Sequence, residues 1–178
     1  MERQREPWDA RALLLLGALM VRSGHGYQIN DFIERCNVAE LKKPTVYALL
    51  DRLEAAGHVS VQTEQEGNRP PRRVYTLTPS GQALFHDLLR DNLRTPDPGT
   101  GDIGLMFLDY LPRAEAVAYL QQRLAGLDAA LAATPDVPPH GGHLTVDLAV
   151  SHQTALRRAD RAWLAALIDR LQTPAGAV

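Results

Sequence analysis

The sequence predicts a mainly α fold with a small β-hairpin, divided into two parts. Three helical stretches joined by short turns occupy the first 57 residues. The hydrophobic period then changes to two between Val59 and Leu77. Beyond a Pro/Gly-rich stretch at Thr95–Gly101 the pattern is helical to the end of the chain.

Each element has its own signal. Residues 8–22 read as a helix whose Leu13, Leu15, Leu16, Leu19 and Met20 are apolar on more than one face, as in a helix set centrally in a core. Ser23-Gly24-His25-Gly26 breaks it. A second helix from about Tyr27 to Cys36 places Tyr27, Ile29, Phe32 and Ile33 as its apolar positions. After the connector Asn37–Lys43, Pro44 suits the first position of a third helix, where its missing N–H costs nothing. Val46, Leu49, Leu50 and Leu53 share one stripe of it, and Gly57 is a natural stop.

Val59 and Val61 alternate with polar residues, and Val74–Leu77 reads as a returning strand. The tip between them is basic and stiffened by proline. Thr78 as N-cap and Pro79 in the first turn start a fourth helix that runs to about Arg94. The reading is therefore a first domain at 1–94 and a second at 102–172. In the second, Val117, Leu120, Leu124, Leu127 and Leu131 are spaced 3, 4, 3, 4, a short coiled-coil seam. After a Pro/Gly break at Thr134–Gly142, a last helix at about 144–172 carries Leu148, Leu156, Trp163, Leu167 and Leu171.

The totals exclude several classes. Net charge is −2, so the chain as a whole is no polycation, and a nucleic-acid role needs a local basic surface. Residues 1–90 hold 12 Lys and Arg against 11 Asp and Glu; the remainder holds 7 against 10. The lone Cys36 forms no internal disulfide, and the apolar run Ala12–Val21 is too short to span a bilayer. A cytoplasmic protein is expected.

Three helices and a two-stranded wing are the order of a winged helix-turn-helix, and three chemical features favour DNA as its partner. Lys42-Lys43-Pro44-Thr45 puts both lysines of the chain at the positive end of a helix dipole. That placement is unfavourable unless an anion such as a phosphate completes it; otherwise it is a solvated loop. On the third helix Thr45, Ala48 and Arg52 point away from the apolar stripe, with Tyr47 at the margin, a surface that fits a major groove. A half-buried core tyrosine is the competing role for Tyr47. The wing carries Arg69, Arg72 and Arg73; strand alternation sends Arg72 and Arg73 to opposite faces, so that one of the two reaches DNA.

Joined together, several stretches resemble PadR-family regulators. They are His25-Gly26-Tyr27, then Thr45-Val46-Tyr47 with Arg52-Leu53-Glu54 and Gly57, and then Arg69 through Thr78 with Gly81. Pro44 departs from the small residue the family commonly has there. Phe107-Leu108-Asp109 and Trp163-Leu164 resemble, more loosely, the family's longer form with a helical dimerisation domain. The resemblance implies a homodimeric repressor that binds an inverted-repeat operator and is often released by a small molecule. It adds Tyr27 to the expected DNA contacts: Tyr27, Lys42, Lys43, Thr45, Tyr47, Arg52, Arg69, Arg72 and Arg73.

The expected dimer surface is Val117, Leu120, Leu124, Leu127, Leu131, Leu156, Trp163 and Leu167. Trp8 and Trp163 are the aromatic walls offered to an effector, though a core tryptophan is the plainer role for each. Enzymatic readings fare poorly. Ser151 and His152 are adjacent and point apart on a helix. His140 and His143 lack a third ligand nearby, so no metal is expected. Cys36 reads as a small buried hydrophobe. No cofactor motif is present. The alternative that remains is a winged-helix adaptor that binds protein instead of DNA.

Overall fold

The computed structural model describes residues 8–36, 41–65, 71–96, 98–133 and 144–173. These form α1 (Ala10–Val21), β1 (Gly24–His25), α2 (Gly26–Cys36), α3 (Lys43–Ala55), β2 (Val59–Glu64), β3 (Arg72–Leu77), α4 (Pro79–Arg94), α5 (Pro98–Leu105), α6 (Arg113–Ala132) and α7 (Leu144–Gln172). A 3-10 turn at Leu108–Tyr110 precedes α6. The fold is mostly helical with one three-stranded antiparallel sheet, ordered β1-β3-β2. It separates into two compact units, one built from residues up to Asn92 with Asp102–Phe107, the other from Leu93–Gly101 and Leu108 onward.

In the first unit, Asp9 caps α1 by accepting from the Arg11 and Ala12 backbone N–H groups at 3.0 and 3.3 Å. Eight consecutive residues of α1, Ala12 to Leu19, are buried. The all-round apolar pattern thus has a plain cause: this helix is surrounded. Ile29 and Ile33 of α2 and Val46, Leu50 and Leu53 of α3 complete the core with it. α3 ends as its sequence predicts. Gly57 adopts φ +78, and the His58 N–H returns to the Leu53 carbonyl at 2.9 Å, a left-handed stop that a side chain would strain.

β2 and β3 pair in register from Val59↔Leu77 to Glu64↔Arg72. The break at 23–26 does more than interrupt a helix, since Gly24 and His25 pair with Tyr75 and Val74 as a third strand. Two residues are too few to show a period, which is why alternation could not reveal it. Thr78 Oγ1 accepts from the Gly81 N–H at 3.1 Å and donates to the Gly57 carbonyl at 2.7 Å, fastening the start of α4 to the end of α3.

The Pro/Gly-rich stretch after α4 contains the start of α5 as well as coil. Asp102–Phe107 folds with the first unit: the Gly104 N–H donates to Asn92 Oδ1 at 2.7 Å, and Phe107 meets Phe85 edge-on at 5.6 Å. The second unit is centred on α6 and α7. Arg113 donates to the Arg170, Leu171 and Thr173 carbonyls, placing a cation on the unpaired carbonyls at the end of α7. Arg123 is fully buried and shares Nη2 between both Asp160 carboxylate oxygens at 3.1 and 3.0 Å. No helix among the described residues is long and apolar enough to cross a membrane.

Candidate nucleic-acid interface

The first turn of α3 is left open. Its N-cap, Lys42, makes no side-chain capping bond, and Pro44 has no N–H to offer. The Thr45 N–H returns to the Lys42 carbonyl at 2.9 Å. Lys42, Lys43, Pro44 and Thr45 are all exposed. Two ammonium groups therefore sit at the positive end of a helix dipole with no carboxylate in its first turn. This is the electrostatics of an anion site.

Beside it are the tyrosines. Tyr47 is 40% exposed and Tyr27 50%, so neither is a core residue, and the apolar role read for Tyr27 on α2 does not hold. Tyr47 lies on Gly26 so closely that a β-carbon there would collide with the ring. The His25-Gly26-Tyr27 stretch thus has a packing reason for its glycine. The His25 and Tyr27 rings stack at 5.5 Å, and the His25 N–H donates to Gln28 Oε1 at 3.0 Å. This holds the turn that delivers Tyr27.

The arginines divide. Arg72 is exposed and stands opposite Glu64 in the ladder. Arg73 turns the other way. It pairs with Asp51 at 2.8 Å and with Glu54, both on α3, and lies over the Tyr75 ring at 5.2 Å. Its hydrogen bond to Asp51 helps hold the guanidinium pKa above its ordinary value. Of the expected DNA contacts, Arg73 is thus already engaged inside the chain; Arg69 lies outside the described residues. Arg52 is exposed, and its guanidinium stacks 5.1 Å above Trp8.

Trp8 meets His58 edge-on at 5.7 Å. With Asp9, Arg11, Thr45, Ala48, Leu49 and Arg52 it lines an open cleft of about 160 Å³. Sequence reading missed Arg11, whose nearness to Thr45 joins residues 34 positions apart and leaves no local pattern. The outward stripe of α3 therefore borders the segment before α1.

The expected dimer residues also divide. Val117, Leu120 and Leu127 are buried within the single chain, while Leu124, Leu131 and Leu167 are half-buried. Leu156 is 46% and Trp163 51% exposed, so Trp163 is not a core tryptophan. Trp8 and Trp163 fall in different units. Burial pushes the Cys36 thiol up from its ordinary pKa, as suits an unreactive cysteine. Among the described residues no group of three or more His, Cys, Asp or Glu side chains could hold a metal; His140 and His143 lie outside them.

Residues 15–87 match the profile of the transcriptional regulator PadR-like family. No curated protein matches the chain. Among solved structures, it is similar to Bacillus subtilis PadR in complex with operator DNA, at 21% identity over 91% of this chain and 99% of that one, with a TM-score of 0.45. It is likewise similar to the same protein in complex with p-coumaric acid, at 21% identity over 92% and 99%, TM-score 0.40. A PadR family regulator from Clostridium difficile is 25% identical over 43% of this chain and 79% of its own, TM-score 0.39. These superpositions are too loose to carry an argument; the family profile itself matches residues 15–87, which lie within the first unit.

Proposed function

We propose that this chain, whose residues 15–87 match the profile of the PadR-like family, is a transcriptional regulator of that family, a cytoplasmic repressor that binds an inverted-repeat operator as a homodimer. The observation that carries this reading is the uncapped, exposed Lys42–Thr45 start of α3, which offers two cations and a helix dipole to a phosphate backbone. Tyr27, Thr45, Tyr47 and Arg52 supply the groove-facing surface, and Arg69 and Arg72 supply the wing's contacts.

The dimer belongs to the same proposal. One winged helix covers few base pairs, and two related by a twofold axis read a palindrome. In this proposal the division expected at 1–94 and 102–172 separates a DNA-binding part from a dimerisation part, with Asp102–Phe107 belonging to the first. Exposed Leu156 and Trp163 on α7 are the apolar surface a second copy would cover, together with what Leu124, Leu131 and Leu167 leave uncovered; Val117, Leu120 and Leu127 support that surface from within.

A releasing ligand would act by preferring one separation of the two recognition helices over another, and by no more than its difference in affinity for them. Trp8, half-buried against Arg52 and His58, and Trp163 are the aromatic side chains proposed to meet it. No catalytic role belongs to the proposal.

The test is fluorescence anisotropy with duplex DNA from the region upstream of the protein's own gene, against a scrambled duplex. The proposal expects a preference of at least about a thousandfold, the low end for specific regulators. Equal binding to both duplexes, or none to either, overturns it and favours the protein-binding adaptor.

A further inference from the structure

We propose that Arg73 is a positioning residue that straps the wing to the recognition helix, and that Arg72 alone of this pair touches DNA. The inference rests on the DNA-binding reading above and deepens it. The two arginines are neighbours on β3 and look interchangeable in sequence. In the fold they are not. Arg73 reaches back across to α3, where it pairs with Asp51 at 2.8 Å and with Glu54, and its guanidinium lies over the Tyr75 ring at 5.2 Å. Tyr75 is itself 1% exposed, so the guanidinium is anchored over a fixed surface.

The same residue is held from its backbone side, because His25 Nδ1 lies 3.3 Å from the Arg73 carbonyl. Arg73 thus joins the wing, α3 and the turn that carries Tyr27. Each link alone is weak, since solvent screens partly exposed ion pairs. Two pairs on one planar guanidinium share a single ordering cost, and they fix an angle between elements.

The strap solves a second problem. Asp51 and Glu54 are acidic groups on the helix that must approach a polyanion. Arg73 lies against both and offsets one of the two negative charges, which lowers their repulsion of phosphate. A lysine would keep the charge and lose the two-pronged geometry.

The experiment compares Arg73→Met, Arg73→Lys, Asp51→Asn/Glu54→Gln and Arg72→Met in the full-length protein. Three quantities are read: affinity for upstream and scrambled duplexes, the slope of log affinity against log salt, and backbone hydrogen exchange in free protein. Arg72→Met should make the slope shallower by about 0.9 for each chain's lost phosphate contact. Arg73→Met should change the slope by clearly less than Arg72→Met does, speed exchange across β2 and β3, and cut the preference for the upstream duplex by about tenfold.

Asp51→Asn/Glu54→Gln should speed exchange as Arg73→Met does, and Arg73→Lys should recover part of the lost preference. A fall in slope for Arg73→Met equal to that for Arg72→Met overturns the proposal. So does unchanged hydrogen exchange in Arg73→Met. Should wild-type protein bind no DNA, the functional reading fails, while the exchange measurement still decides whether the strap exists.

Discussion

α1 and α7 place opposite demands on their surroundings. α1 is 12 residues long, and eight of them in a row are buried within the first unit. α7 is 29 residues long, yet among the described hydrophobic residues along it only Leu164 and Ile168 are buried, while Val146, Leu148, Leu156 and Trp163 stand open. Burying a side chain of this size is worth about 1.5–3 kcal/mol, so the two helices solve the same problem in different places. The first unit closes its core with its own chain. The last helix leaves apolar surface for something else to cover, and a second copy is the proposed cover.

The largest effect that would break this comparison is on assembly. Leu156→Asp/Trp163→Asp should convert dimers to monomers of 19.6 kDa by light scattering. Upstream-DNA affinity should fall by about 10²–10⁴-fold as two-site binding is lost. A variant that stays dimeric would move the interface elsewhere.

Next comes the buried pair between α6 and α7. Arg123 Nε and Nη1 are buried without a partner, so Asp160 is the compensation its charge has among the described residues. Asp160→Ala should destabilise by about 3–5 kcal/mol in urea unfolding, because it strands a buried cation. Arg123→Met/Asp160→Leu should recover most of that loss. A double variant less stable than the single one would show that the pair stabilises outright.

Core truncation sharpens the contrast between the helices. Leu16→Ala, at a fully buried position of α1, should lower stability by about 2–5 kcal/mol. Leu156→Ala, measured at concentrations where the protein is monomeric, should change it by less than about 0.5 kcal/mol. Equal costs would mean that Leu156 is packed within its own chain. Smaller than the core truncation is the cap of α4: Thr78→Ala should cost about 1 kcal/mol by thermal unfolding, since Thr78 Oγ1 serves both Gly81 and Gly57.

Much of the fold was legible in the sequence because the signals were local. Pro44, Gly57 and Thr78 with Pro79 mark helix ends by backbone chemistry: α3 begins one residue before Pro44 and stops short of Gly57, and α4 begins at Pro79. The four apolar residues of α3 fall on one face as their spacing requires. What stayed hidden depended on distant partners. β1 exists because β3 is there to pair with it. The engagement of Arg73 depends on carboxylates 22 and 19 positions away. Trp8 and Arg11 join the α3 surface through folding alone. The heptad spacing of α6 marked an apolar seam, and spacing by itself does not tell whether the same chain or another covers it.

The most direct measurement is the salt dependence of operator affinity for Lys42→Gln/Lys43→Gln/Arg72→Gln beside wild type, with melting curves to show that folding persists. DNA binding through the open start of α3 and the wing predicts a slope shallower by about 0.9 for each phosphate contact removed, with the fold intact. Identical slopes in the two proteins would contradict it.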